Sequence, residues 1–378
     1  MSMTREQICE LTAKKLAAAV PNLRQNKALI GLDGFVDEII AVVDKRHATG
    51  SFDPVRSIGQ FGKKINAAVG QSSNYELVVK LRKLGGNGPI MANALAAIGM
   101  DVTYIGNLGF PTLDPVFQEL ADRAHVISIG EPGHTDALEF DDGKLMFGKH
   151  ATLNDVNWDN LMSRVGPEKL KDLVGQSRLV GMLNWTMLPN MSRIWAHLLK
   201  EVIPHIDRHG RKLFVDLCDP EKRTQDDILD ALRLLTRFQD QVDVILGLNL
   251  KESIEIADVL GLPGAAKAES AIEENARAIR EKLNLSCVVI HPRHGAAAAM
   301  EDHSAKFTGP FVSVPKISTG AGDHFNAGFC LGSVLGMKVE ECLCAGVATS
   351  GYYVRTAQSP TGSQLAEFVA HLPEPQVA

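Results

Sequence analysis

The sequence predicts an α/β protein with a mainly parallel central sheet, helices on both faces, and a small inserted β lid. Short apolar runs alternate with helical patterns along most of the chain, which favours parallel strands joined by crossover helices. Asp141-Asp142-Gly143 lies between two partly alternating apolar segments, as is typical of a hairpin turn. The predicted strands are 28–31, 102–106, 179–183, 212–217, 242–248 and 287–291. The predicted helices are 89–98, 192–206, 224–238, 250–260 and 270–283, with further helices beginning at about residues 321 and 339.

Two segments interrupt this alternation and define the predicted domain organisation. Residues 38–83 are polar, irregular and too long for an ordinary connection, and residues 133–150 contain the inserted hairpin pattern, which is typical of structural trim or of a lid over a site. The lid segments are expected at about 38–75 and 133–150. Residues 1–27 have the pattern of an N-terminal helical extension, and residues 28–378 form the main domain.

Composition and charge exclude several classes of protein. With 45% hydrophobic and 22% charged residues, the 378-residue chain can bury a large core. The net charge of −6 and the absence of a long basic block disfavour nucleic acid and anionic membranes as partners. The sequence contains no apolar run of about 18 residues and no signal-peptide pattern. The six cysteines contain no CxxC pair and are expected to be reduced core thiols in a cytoplasmic protein.

The strongest motif is Ser318-Thr-Gly-Ala-Gly-Asp-His-Phe-Asn-Ala-Gly-Phe329, which follows an extended segment and opens a helix. Gly320 and Gly322 let backbone amides converge where a helix start presents unpaired N–H groups and a positive dipole end. Such a place binds phosphate, and Asp323 in the same turn can take a proton from an attacking hydroxyl. An ordinary helix cap would use the same residue types.

These twelve residues closely resemble the C-terminal signature of the ribokinase family, also called the PfkB carbohydrate kinases. Residues 83–106 are similar to the family's N-terminal signature, in which a double glycine, here Gly85-Gly86, brings backbone close to the acceptor and opens a helix. The resemblance covers about residues 28–370. It implies a ribokinase-like three-layer sandwich with a β lid, and an ATP-dependent kinase that phosphorylates a hydroxyl of a small sugar-like acceptor.

The resemblance also assigns the catalytic turn and the acceptor site. Asp323 would be the general base, and the amides of Gly320, Ala321 and Gly322 would hold the charge that develops during transfer. The acceptor would lie under the lid, against Gly85, Gly86 and Asn87. Asp37 aligns best with the family's hydroxyl-binding acid and Asp33 is a close rival, although either carboxylate could simply cap a turn.

Other motifs resemble the family's nucleotide site. Asn249-Leu-Lys-Glu252 matches an Asn-x-x-Glu motif, which implies that Asn249 lies near the phosphates and that Glu252 helps to place Mg²⁺ through water. A helix capping box would give the same pattern and is compatible with that role.

The nucleotide itself would lie along the loop from His291 to Gly295 and the helix 345–355. Gly346 and Thr349 would leave room for a flat base, although tight helix packing explains them almost as well.

Three departures from the family pattern limit what the resemblance implies. His291-Pro-Arg-His-Gly295 replaces the usual Thr-x-Gly stretch beside the nucleotide. Ser318 replaces the usual acidic residue or threonine, which weakens any expectation of a monovalent-cation site. The segment 108–114 replaces a Gly-Asp-Asp-like turn.

Alternative functions remain open at this point. A nucleoside kinase of the same family, or a non-catalytic nucleotide- or sugar-binding relative, would share these motifs. A Rossmann-type oxidoreductase would need G-x-G-x-x-G in its first strand–helix turn, and Gly31-Leu-Asp-Gly34 lacks it. The histidines do not have metal-ligand spacing. We therefore expect ATP, Mg²⁺ and a sugar or nucleoside as ligands, and the resemblance makes a homodimer through the lid plausible.

Overall fold

A computed structural model describes residues 3–207, 210–262 and 269–376. Within this part of the chain the larger sheet has nine strands, of which the last two along the chain are antiparallel to their neighbours and the others parallel. From one edge to the other they are β14 (Ser304–Thr308), β13 (Gly295–Met300), β12 (Cys287–Ile290), β11 (Asp243–Leu248), β10 (Lys212–Asp216), β9 (Leu179–Leu183), β1 (Lys27–Leu32), β5 (Asp101–Gly106) and β6 (His125–Ser128).

The other five described strands form a separate small sheet, which is the lid. They are β2 (Phe35–Ala48), β3 (Ser51–Pro54), β4 (Leu77–Gly85), β7 (Gly133–Phe140) and β8 (Gly143–Lys149). β2 is central, since it pairs with β3 and β4 in antiparallel fashion and with β7 in parallel fashion. The hairpin predicted at Asp141-Asp142-Gly143 is confirmed, because Phe140 pairs with Gly143 across that turn.

Helices cover both faces of the larger sheet. One layer is α1 (Arg5–Ala19), α3 (Asn87–Ile98), α4 (Gln118–Ala121), α11 (Ala321–Val334), α12 (Val339–Thr356) and α13 (Gly362–Ala370). The other layer is α5 (Trp158–Arg164), α6 (Pro167–Gln176), α7 (Met191–Glu201), α8 (Gln225–Gln239), α9 (Leu250–Val259) and α10 (Ile272–Leu283). Neighbouring β1 side chains serve different layers: Ile30 packs in the first core and Leu29 in the second. The predicted three-layer sandwich is confirmed.

The N-terminal helix is part of the first layer. Ile8 and Leu16 of α1 are buried in the same core cluster as the helices α3, α11 and α12. Lys15 pairs with the buried Glu341 of α12 at 2.7 Å. The helix expected within the N-terminal extension of residues 1–27 is thus α1, and its apolar face packs against the rest of the chain.

The lid has a small core of its own. Ile40, Val42, Leu138 and Phe140 from the sheet pack against Phe61 of α2 (Ile58–Ala67). The sequence analysis did not predict α2, although Ser57 caps it by accepting a hydrogen bond from the amide of Gln60.

The parallel strands bring several polar residues to one edge of the larger sheet. Asp33, Asn184 and Asn249 come immediately after β1, β9 and β11, respectively, and Asp216 is the last residue of β10. Since the carboxyl ends of parallel strands share one edge, these side chains lie at the end where α/β proteins bind ligands. No helix among the described residues is long and apolar enough to cross a membrane.

Candidate active site

Asp323 lies in the first turn of α11, as the motif predicted. Gly320 caps this helix with a φ of 91°, a conformation that favours glycine. The Asp323 side chain is only 6% exposed, and its Oδ1 accepts a hydrogen bond of 3.0 Å from Nδ2 of Asn87. Burial raises the pKa of Asp323 to about 8, although the bond from Asn87 opposes this rise. A buried carboxylate with a raised pKa is suited to accept a proton near neutral pH.

Asn87 is held in place by Asp33. The backbone amides of Asn87 and Gly88 each donate to the Asp33 carboxylate at 3.0 Å, so Asp33 caps the start of α3 from a distant strand end. Asn184 Nδ2 donates to the same carboxylate at 2.8 Å, and the Tyr104 hydroxyl donates to the Asp33 carbonyl at 2.6 Å while lying 3.2 Å from the carboxylate. Burial raises the pKa of Asp33 to about 6, against the effect of these donors.

The expectation that Asp33 contacts the acceptor stays a prediction. Its side chain is fully buried, and both carboxylate oxygens already accept hydrogen bonds from protein groups. Asp33 links the start of α3 to the start of α11, because it holds Asn87, whose side chain donates to Asp323.

Asp37 has a different environment, on the lid. It lies on β2 opposite Lys83 of β4 and Thr135 of β7, and it is 7% exposed. Burial raises the pKa of Asp37, while the charge of Lys83 and a hydrogen bond with Thr135 lower it. This carboxylate is carried by the lid, whereas Asp33 belongs to the body of the protein.

The double glycine of the N-terminal signature is required by close packing. A Cβ atom on Gly85 would lie 2.5 Å from the carboxylate of Asp37. Gly86 has a φ of 91°, and a Cβ there would lie 2.8 Å from Oδ2 of Asp33. The two glycines thus let backbone approach both carboxylates, and the expected contact of this turn with the acceptor stays a prediction.

A cleft of about 680 Å³ opens beside the first turn of α11. Asn249, His291 and Gly295 line this cleft together with Ala321 and Gly322 of the first turn of α11. Its further walls are largely apolar and come from the segment 309–315 and from α12; they include Pro310, Phe311, Val347, Ser350, Gly351 and Val354.

The two residues of α12 predicted to bind the nucleotide, Gly346 and Thr349, lie away from the lining of the cleft. Gly346 does not line the cleft, since a Cβ there would lie 2.7 Å from the ring of Phe325. Thr349 is also absent from the lining; it is fully buried, and its hydroxyl donates to the Ala345 carbonyl at 2.7 Å. Both residues serve the packing of α12 on α11, and the cleft is lined by the neighbouring turn positions Val347 and Ser350.

His291 begins the loop that departs from the family pattern. Its ring lies 4.7 Å from that of Phe325 at an angle of 31°, and its Nε2 is buried without a partner in the described structure. Burial lowers the pKa of His291 to about 4, so the imidazole is neutral at pH 7 and does not supply a positive charge for phosphate.

Glu252 and Asn249 form the capping box that the sequence allowed. The Asn249 side chain accepts from the Glu252 amide at 3.0 Å, and one Glu252 oxygen accepts from the Asn249 amide at 2.8 Å. The other oxygen accepts from the amide of Asp219 at 3.0 Å. Glu252 is 4% exposed, and burial raises its pKa.

This arrangement does not provide direct protein ligands for Mg²⁺. Both oxygens of Glu252 are occupied by backbone amides. In residues 3–207, 210–262 and 269–376, no group of three or more His, Cys, Asp or Glu side chains could hold a metal ion. The residues present fit Mg²⁺ only through intervening water and nucleotide phosphate, which is how Mg²⁺ is commonly bound in kinases.

His324 and Tyr353 contact the backbone of the turn that begins α11. His324 is 2% exposed, its Nδ1 lies 2.8 Å from the Gly320 carbonyl, and its ring stacks on Tyr353 at 3.6 Å. The Tyr353 hydroxyl donates to the Thr319 carbonyl at 3.0 Å. Burial lowers the pKa of His324 to about 4, so a neutral imidazole contacts this turn at pH 7.

Sequence reasoning missed three polar residues near the site: Tyr104, Asn184 and Asp216. Asp216 accepts hydrogen bonds from Asn326 Nδ2 at 2.9 Å and from the Cys218 amide at 3.0 Å. Burial and the neighbouring acids Glu252 and Asp323 raise its pKa well above the usual range. Asn184 and Asp216 could have been predicted from their places at the carboxyl ends of predicted parallel strands, where α/β proteins bind ligands.

Solved structures share this fold. Arabidopsis thaliana ribokinase complexed with ribose and ATP aligns with a TM-score of 0.62 and 16% identity, covering 91% of this chain and 98% of that one. Adenosine kinase from Sinorhizobium meliloti aligns with a TM-score of 0.61 and 16% identity, covering 92% and 99%. Together with the relatives described next, the fold and site define an ATP-dependent carbohydrate kinase of the ribokinase type.

The sequence comparisons are more specific. A family model described as prokaryotic ketohexokinase matches residues 4–372. A ketohexokinase of Haloferax volcanii is 29% identical over 346 residues, which is 91% of each chain. The chain belongs to the prokaryotic ketohexokinase family, and its substrate is a small sugar.

Proposed function

We propose that this kinase transfers the γ-phosphoryl group of ATP to a hydroxyl of a ketohexose, with Asp323 as the general base. The observation that carries the proposal is the contact between Asn87 and Asp323, which joins the N-terminal ends of α3 and α11 at one point. The choice of a ketohexose rests on the relative from Haloferax volcanii.

The acceptor occupies the space between the lid and the double-glycine turn. Asp37 accepts hydrogen bonds from acceptor hydroxyls, and the close approach of Gly85 and Gly86 lets the sugar contact the backbone. Asp33 acts as a positioning residue, because its hydrogen bonds fix Asn87 and thereby orient Asp323. Such positioning supplies a large part of the rate in phosphoryl transfer, where the protein has little covalent chemistry to do.

In the reaction, Asp323 takes the proton of the attacking hydroxyl while the oxygen approaches the γ-phosphorus in line. The amides of Gly320, Ala321 and Gly322 stabilise the charge on the phosphoryl oxygens, helped by the dipole of α11. ATP extends from this turn into the cleft, where its base packs between the apolar walls of the segment 309–315 and of α12. Glu252 would help to hold Mg²⁺ through water, and the ion would offset the charge of the phosphates.

The lid supports the same proposal, because it carries Asp37 into the site. Its closure over the sugar would exclude water, which protects ATP from hydrolysis. The monovalent cation and the lid-mediated homodimer remain predictions.

Product formation from a panel of acceptors tests this function. Purified protein is incubated with Mg-ATP and D-fructose, D-ribose, D-gluconate or adenosine, ADP release is followed, and NMR locates the phosphate on the product. We expect D-fructose to give the highest kcat/KM, with little ADP release in the absence of an acceptor. A preference for adenosine, or ADP release that does not depend on any acceptor, would refute the assignment.

A further inference from the structure

Two of the six cysteines are in direct contact. Cys9 lies on α1 and Cys344 on α12, and their sulfur atoms are 3.8 Å apart although the residues are 335 positions apart in the chain. All six cysteines are free thiols in the structure. The proposed kinase mechanism uses neither of these two.

The two thiols differ in environment. Cys9 is 7% exposed and lies near the guanidinium of Arg5, whereas Cys344 is completely buried and donates its S–H toward the sulfur of Cys9. Both interactions favour a thiolate on Cys9 and lower its pKa, while the pKa of Cys344 is raised well above its usual value. A thiolate attacks peroxide far faster than a thiol does.

The other cysteines lack this combination of features. Burial raises the pKa of Cys218, Cys287, Cys330 and Cys342. Cys342 is the most informative comparison, because it lies only two residues from Cys344 on the same helix. Its S–H points to the carbonyl of Met337.

We propose that Cys9 and Cys344 form a site of reversible oxidation, at which a disulfide ties α1 to α12. Hydrogen peroxide oxidises the Cys9 thiolate to a sulfenic acid and is reduced to hydroxide. The Cys344 thiol then attacks the Cys9 sulfur, which forms the S–S bond and releases water. The sulfur atoms, which lie 3.8 Å apart, must approach to about 2.05 Å for the bond to form.

The bond would join the N-terminal helix to the helix that lines the nucleotide cleft. α12 supplies Val347 and Ser350 to that cleft, and α1 is otherwise held by contacts such as the pair between Lys15 and Glu341. A cross-link that closes such a long loop restricts the unfolded chain strongly. Oxidation should therefore stabilise the folded enzyme, and a dithiol reductant should reverse the effect.

Peptide mapping tests the proposal on the whole folded protein. Native enzyme is treated with hydrogen peroxide, free thiols are blocked with N-ethylmaleimide, and tryptic peptides are analysed by mass spectrometry. We expect a cross-linked pair made of residues 6–14 and 339–355, with the mass of the two peptides minus two hydrogens plus one N-ethylmaleimide on Cys342. Cys342→Ser should retain the cross-link, whereas Cys9→Ser and Cys344→Ser should each abolish it.

Thermal unfolding provides an independent readout. Peroxide should raise the unfolding midpoint of the wild-type protein by about 3 °C or more, and Cys9→Ser should show no such rise. Three results would overturn the proposal: a cross-link from Cys9 to Cys342, a sulfinic acid on Cys9 without any cross-link, or two unmodified thiols in peroxide-treated native protein.

Discussion

The acceptor side and the nucleotide side of the site are built differently. On the proposed acceptor side Asp33, Asp37 and Asn184 are at most 7% exposed, Asp33 accepts hydrogen bonds from Asn184 and from the start of α3, and Gly85 and Gly86 pack closely against the two carboxylates. The nucleotide side is an open cleft of about 680 Å³ with largely apolar walls. The acceptor side therefore depends on fixed geometry and the nucleotide side on the shape of the cleft. Substitutions on the acceptor side should lower kcat/KM more than those on the nucleotide side.

Gly86→Ala should have the largest effect among the acceptor-side changes. The new Cβ would meet the Asp33 carboxylate at 2.8 Å in a backbone conformation that alanine rarely adopts, which would displace the start of α3. We expect kcat/KM for the acceptor to fall by about 100-fold. Gly62→Ala in α2 is the control, since a Cβ there meets nothing within 4 Å and activity should be unchanged. Equal activity of the two variants would contradict the account.

Asp33→Asn and Asp37→Asn separate positioning from binding. Asp37→Asn should raise the acceptor KM by about 10- to 50-fold with a smaller change in kcat, since a charged hydrogen-bond acceptor for the sugar is lost. Asp33→Asn should mainly lower kcat, because the position of Asn87 changes. Steady-state kinetics with varied acceptor checks both expectations, and the reverse pattern would exchange the two roles.

The pH profile should follow the ionisation of Asp323. Burial raises the pKa of this group to about 8, and the base is active only when deprotonated. The acceptor kcat/KM should therefore rise about tenfold per pH unit below that value and level off above it. A rate that falls as the pH rises from 6 to 8 would contradict this assignment.

Ser350→Phe should have the smallest effect, confined to the nucleotide side. A larger side chain on the wall of the cleft should raise the KM for ATP by about fivefold and leave the acceptor KM unchanged. Ser363→Phe, at an exposed position of α13, is the control. If Ser350→Phe lowered kcat/KM more than Gly86→Ala does, the proposed difference between the acceptor side and the nucleotide side would be wrong.

Sequence reasoning predicted the fold well where patterns are local. The strand predicted at 179–183 is β9, Leu179–Leu183, and the helices expected near residues 321 and 339 begin at Ala321 and Val339. It missed β13, Gly295–Met300, because a run of alanines does not have the β-branched composition typical of strands. The helix predicted at 192–206 ends earlier, at Glu201.

Within the site, too, sequence reasoning identified residues in local motifs and missed those whose roles depend on distant contacts. Asp323 and the double glycine were predicted because each lies in a contiguous motif with its own local geometry. The roles of Asp33, Asn184 and Gly346 depend on contacts between distant segments, such as the 151-residue separation between Asp33 and Asn184. Only the folded chain reveals that Asp33 is saturated with hydrogen bonds and that Gly346 faces Phe325.

The turnover of Asp323→Asn tests the central claim most directly. Asparagine retains the size of the side chain and an oxygen for Asn87 but cannot take a proton, so kcat should fall by about 1,000-fold or more. Affinity for ATP should stay within about threefold, because the first turn of α11 and the cleft are unchanged. The folded protein disfavours the ionised carboxylate, so at pH 8 the variant should also unfold at a slightly higher temperature than the parent. A correctly folded Asp323→Asn protein that phosphorylates its sugar at near-normal rate would contradict the account.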